Sequence, residues 1–285
     1  MDVVLAPGNE WLMNAGGIYR PTVDGDFYPA DFATLVQTGR YNRKAHILWG
    51  STRNEAAAFI PYAFPDPIPL EKEDQALATY LLEERTKVLF KSPFYALNKS
   101  DPDTIRSELS KAVTDLLWGC AVQRMSRGAT AQGSQVYAYR FDHGRDIYSS
   151  FGEPFPPFCR GRVCHADDVI PSFGSGDVKD SSAQTGSDAR FSRQVIDRFT
   201  TFAKTGNPNP SKDQLLLGLA SKNKDVTEVE WPEYVESRDR VFVFEPETSR
   251  VEIGEDTDRC HWIEKSVHYD YQVHAPDGKF VPIFP

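Results

Sequence analysis

The chain has 285 residues, 40% of them apolar and 12% aromatic, which is long enough to bury a sizeable core and too hydrophobic for a disordered chain. A formal net charge of −9 leaves no basic stripe to neutralise phosphates, so nucleic acid is not an expected partner. No run of about eighteen apolar residues occurs, so no membrane span is expected.

The opening Met1-Asp-Val-Val-Leu-Ala-Pro-Gly8 lacks the basic n-region of a signal peptide. If the protein is secreted, its signal is expected upstream. Residues 1–40, rich in Gly, Pro and Asp, read as irregular. Ala45-His-Ile-Leu-Trp-Gly50 reads as a short buried strand ended by glycine. Pro61 to Pro69 is a proline-broken loop, and Glu71 to Phe90 reads as a helix with Leu77, Leu81, Leu82, Val88 and Leu89 on one face. Asp101-Pro102 reads as an N-cap followed by proline at the first helical position. The helical pattern then continues, with room for a break, to about Ala131. Gln135-Val-Tyr-Ala-Tyr-Arg-Phe-Asp142 is the clearest strand, aromatic and bounded by Gly133 and Gly144. Gly144 to Asp188 reads as a long loop region, of a length that is usually functional. Ala189 to Lys204 is an amphipathic helix whose Phe191, Val195, Ile196, Phe199, Phe202 and Ala203 form a core stripe, stopped by Gly206 and Pro208. Arg240-Val-Phe-Val-Phe-Glu245 is a late strand. Helices between well-separated strands predict α/β architecture.

Two segments carry chemistry. An acid lies in Trp49-Gly-Ser-Thr-Arg-Asn-Glu55-Ala-Ala-Ala-Phe59, and a histidine in Cys159-Arg-Gly-Arg-Val-Cys-His165-Ala-Asp-Asp-Val-Ile-Pro-Ser-Phe-Gly174. Each follows an apolar β-type run. His165 with Cys164, Asp167 and Asp168 is not read as a metal cluster, because successive residues of one loop do not converge on one ion without distant ligands. His46, His143, His261, His268 and His274 show no pairing pattern and read as structural or solvated. Four cysteines permit two disulfides without specifying them. Asn98-Lys-Ser100 is an N-glycosylation sequon.

The chain resembles the type-B carboxylesterase family, which includes cholinesterases and secreted lipases. Pro21-Thr-Val-Asp-Gly-Asp-Phe27, Ile47 to Glu55, Val136-Tyr-Ala-Tyr-Arg-Phe141, His165-Ala-Asp-Asp-Val-Ile-Pro-Ser-Phe-Gly174, Phe202-Ala-Lys-Thr-Gly-Asn-Pro-Asn209 and Trp231-Pro-x-Tyr234 are similar to family segments, in the family's order. The resemblance implies the α/β-hydrolase fold, with residues 1–285 as the C-terminal portion of its sheet and helices. It implies a carboxylic-ester hydrolase working through an acyl-enzyme on a small-molecule ester without a cofactor. Acid then histidine is the order of those triads, in which a serine comes first. Glu55 would be the triad acid and His165 the base. No serine here stands in a Gly-x-Ser-x-Gly context, so the nucleophile would come from a complementary N-terminal half, and this chain alone would be inactive. The alternative is a half-hydrolase serving as a non-catalytic binding or scaffold protein.

The resemblance further implies a long-range Cys120–Cys260 disulfide, a small loop-pinning Cys159–Cys164 bridge, and a secreted or extracellular setting. Asp168 matches the family's acidic position after the histidine and is expected to fix the loop. The chain departs from the pattern at Asn54, which precedes Glu55 where the family often has Asp, and at Pro171, one place later than in the common His-Gly-x-Glu-Leu-Pro form; two alanines stand at glycine positions. Ala56 follows Glu55 where the family usually has glycine, and would stiffen that turn if it needed positive φ. Ala166 follows His165 where the family has glycine.

Overall fold

The computed structural model describes residues 23–73, 88–144, 157–174, 187–211, 213, 228–235, 237–254 and 256–266. Residues 31–40, expected to be irregular, contain a helix, α1 (Phe32–Gln37). Six residues are too few to show a helical period. The start is nevertheless written locally, since Asp31 accepts the Thr34 N–H at 2.9 Å.

Strand β1 (Ile47–Thr52) begins two residues later than expected and runs through Gly50. That glycine is no terminator. A Cβ there would lie 2.2 Å from the Tyr139 carbonyl oxygen of the neighbouring strand, so only glycine allows the approach. Glu55–Ala58 forms a 3₁₀ turn and Ile60–Ala63 one helical turn. The helix expected over 71–90 lies mostly outside the described residues; its beginning is a 3₁₀ turn at Leu70–Lys72.

Helix α2 (Thr104–Thr114) starts two residues beyond the expected Pro102, because Asp101 closes a side-chain turn onto the Asp103 N–H and holds the chain out of the helix. A π-helical turn, Asp115–Gly119, links α2 to α3 (Cys120–Ala131) and is the break for which the pattern left room. Strand β2 is Val136–Phe141. Within the expected loop 144–188 a short helix, α4 (Val169–Phe173), comes after the histidine. Helix α5 (Ser187–Thr205) contains the predicted amphipathic run. Gly206, at φ 77°, ends it in the left-handed conformation. Strand β3 (Arg240–Phe244) is succeeded by two elements without a sequence signal, β4 (Arg250–Ile253) and α6 (Thr257–Ser266). Both are short and polar and take their shape from what they pack on.

The four strands form one sheet in the order β1-β2-β3-β4, parallel except for β4. Strand β2 shows why helices lie on both faces. Val136 and Ala138 point into a cluster with Val36, Met125 and Ala129 of α1 and α3. Tyr137 and Phe141 point the other way, onto Phe191 and Val195 of α5. A two-sided apolar strand is the signature of a sheet covered on both faces.

Two of the recognised motifs prove to be scaffold. Trp231 stacks on Phe242 at 4.7 Å, and Tyr234 donates its N–H to the Val136 carbonyl. Asn209 bonds both the N–H and the carbonyl of Trp231, tying the end of α5 to the segment before β3.

Candidate active site

The parallel strands β1 and β2 end side by side, and the segments leaving their carboxyl ends build the site. Thr52 pairs with Phe141 at the last rung. The β1 track then continues beyond the strand. Arg53 donates to the Phe141 carbonyl, Asn54 donates to the Val163 carbonyl, and Asn54 forms a parallel bridge with Cys164. The Asn54 side chain accepts the Val163 N–H at 3.1 Å. One residue further along each strand-like segment stand Glu55 and His165. This register brings them beside each other, although 110 residues separate them.

His165 Nδ1 lies 2.6 Å from Glu55 Oε2. Glu55 is buried, and its other oxygen accepts the Thr52 N–H at 2.7 Å. A carboxylate at that distance accepts the hydrogen bond of Nδ1–H, which leaves Nε2 as the basic nitrogen of the neutral ring. The imidazole is about half exposed, at 45%. Two aromatic rings flank it, Phe59 at 5.0 Å and Trp118 at 5.8 Å, with their own planes parallel within 1°. Trp118 sits on the π-helical turn, a distortion often found at functional sites. Neither ring was legible as a site residue, because Trp118 lies in a helical run and Phe59 in an apolar one.

Asp167 makes a loop-fixing bond of its own. It is buried and accepts the Cys164 N–H at 2.7 Å. Asp168 contributes its carbonyl to Ser172 at the start of α4. Tyr139 lies on the same side. Burial, then the Asp168 and Glu55 carboxylates, push its phenol well above the ordinary value, so it stays protonated.

The left-handed residue is Ala166, at φ 68°, and not Ala56. Ala56 sits in the 3₁₀ turn, wholly buried, with its N–H donated to Thr114 Oγ1. Positive φ at Ala166 turns the chain sharply after His165, where a side chain costs about 1–2 kcal/mol.

Cys159 is bonded to Cys164, and Cys120 to Cys260. Cys164 is therefore no thiolate ligand, and among the described residues no group of acids, histidines and cysteines could hold a metal ion. Of the other histidines, His46 is exposed and bonds the Gly206 carbonyl, His143 packs on Phe191, and His261 is exposed. His268 and His274 lie outside the described residues. Asn98 of the sequon is exposed. No described helix is long and apolar enough to cross a membrane.

A family model described as the carboxylesterase family matches residues 11–263, most of the chain. The chain belongs to the carboxylesterase family. Its sheet with helices on both faces agrees with the α/β-hydrolase fold of that family. Carboxylesterase 1F of Mus musculus is 26% identical over 207 residues, covering 69% of this chain and 35% of that protein. The chain thus spans about a third of the length of the curated relative it matches. In this family member, Glu55 and His165 lie in segments that follow the carboxyl ends of the parallel strands β1 and β2, where α/β sheets place their sites. Membership and the two disulfides are compatible with a secreted or lumenal setting.

Proposed function

We propose that Glu55 and His165 are the acid and base of an acyl-transfer site that hydrolyses carboxylic esters, and that residues 1–285 are the C-terminal part of that hydrolase. The observation carrying this is the 2.6 Å contact of Nδ1 with a buried carboxylate whose second oxygen is held by the Thr52 N–H. His165 Nε2 takes the proton of a serine hydroxyl as that oxygen attacks the ester carbonyl. Glu55 holds the tautomer and stabilises the imidazolium. The imidazolium then protonates the leaving alcohol, and the cycle repeats with water on the acyl-enzyme. The nucleophile comes from outside these residues, since no Gly-x-Ser-x-Gly occurs within them. The exposed Phe59 ring and the half-buried Trp118 ring beside His165 suit an apolar part of a small ester.

The test joins this chain to a serine-bearing hydrolase portion and measures turnover of a small activated ester. His165→Ala should lower kcat by about three or more orders of magnitude, and Glu55→Gln nearly as much, with folding kept. Near-normal activity in Glu55→Gln, with His165→Ala inactive, would remove Glu55 from the acid role. A completed protein that turns over no ester and takes no fluorophosphonate label would favour a binding or scaffold role.

A further inference from the structure

We propose that the Cys159–Cys164 disulfide is a thiol-sensitive clamp that positions His165 against Glu55. The clamp rests on the acid–base reading of that pair, and concerns how the pair is held rather than what it hydrolyses.

Cys164 immediately precedes His165, and its backbone bridges Asn54, which immediately precedes Glu55. The crosslink therefore pins the one residue whose neighbours on both sides lead into the pair. The remaining ties on this loop are non-covalent. They include the two Asn54–Val163 hydrogen bonds, the Asp167 bond to the Cys164 N–H, Arg162 stacked over Phe158 at 3.9 Å, and the packing of Phe158 and Cys164 on Ala57 and Ala58. Against them stands Ala166, one residue after His165, in a left-handed conformation that persists only where its surroundings enforce it. Opening the clamp lets that strain relax, and His165 leaves Glu55 with it.

Burial sets the order of attack. Cys164 is wholly buried, whereas Cys159 is half-buried beside the exposed Arg160 and Gly161. A thiolate from a small thiol reaches Cys159 Sγ, forms a mixed disulfide there, and expels Cys164 as a thiolate that takes a proton from water. A second thiol group attacks the mixed disulfide, releases the Cys159 thiolate and leaves as the reductant's own disulfide. Cys120 and Cys260 are both enclosed in the core between α2, α3 and α6 and resist the same reagent.

The test uses this chain with ¹⁵N-labelled histidine. The low-field Nδ1–H resonance of the pair is assigned by its loss in His165→Ala, while dithiothreitol is raised and the exposed thiols are alkylated and mapped. Cys159 and Cys164 should become alkylatable at concentrations at least about tenfold below those needed for Cys120 and Cys260. The resonance should disappear in step, return on reoxidation, and be missing from a Cys159→Ala/Cys164→Ala chain that melts cooperatively. A resonance that survives opening of this disulfide overturns the clamp, as does earlier opening of Cys120–Cys260 or failure of the double variant to fold. A resonance missing from the fully oxidised chain overturns the Glu55–His165 pairing itself.

Discussion

Two alanines stand where this family favours glycine, and the structure assigns them opposite consequences. At Ala166, with φ 68°, replacement by glycine removes a left-handed side-chain cost of about 1–2 kcal/mol. The more flexible unfolded chain takes back about 0.4–1 kcal/mol, leaving a net gain of roughly 0.5–1 kcal/mol. At Ala56 the backbone is not left-handed and the methyl group is wholly buried. Glycine there costs about 0.5–1 kcal/mol in backbone entropy and about 0.8 kcal/mol in lost burial, so roughly 1.3–1.8 kcal/mol in all. The two single variants should therefore differ by about 2–3 kcal/mol, with Ala166→Gly the more stable. Reversible urea unfolding monitored by tryptophan fluorescence reads this as midpoints moving in opposite directions at constant slope. Ala166→Gly as destabilising as Ala56→Gly would refute the assignment of the turn.

The two disulfides should differ sharply in their effect on stability. In the chain-entropy model, closing 140 residues at Cys120–Cys260 contributes about 5 kcal/mol and closing 5 at Cys159–Cys164 about 2 kcal/mol. Paired Cys→Ala variants compared by denaturant unfolding check this, and equal losses would count against it. A third expectation concerns acid. Burial alone would raise the Asp142 carboxyl, but its bonds to Arg140 and the nearby Arg53 and Arg250 hold it below the ordinary value. A depressed folded value means that its stabilisation is complete above the unfolded value, about 3.9, and is lost as pH falls through the folded one. Asp142→Asn should therefore be clearly less stable than the parent at pH 7 and approach it near pH 3. A gap unchanged between those two pH values would contradict this origin.

The range of the forces involved sets how much of this could be read from residues alone. Val136–Phe141, Arg240–Phe244 and the long α5 were legible because a two-sided apolar strand and a 3.6-residue stripe are local records of burial. Helix α1, strand β4 and helix α6 were not, being short elements whose form comes from their neighbours. Glu55 and His165 could be picked out because each comes after a strand and their order is that of a known triad. Their contact is a tertiary fact. It depends on β1 and β2 pairing in one register and on the Asn54–Cys164 bridge beyond the strand ends, and a slip of one residue would turn the two side chains apart. The same register decided which alanine carries the glycine-like turn and brought Phe59 and Trp118 around the imidazole. Residue types and spacing determined which groups could do chemistry, since that is a property of each side chain. Only the packed sheet decided which of them meet, because distance in space is set by pairings that join segments a hundred residues apart.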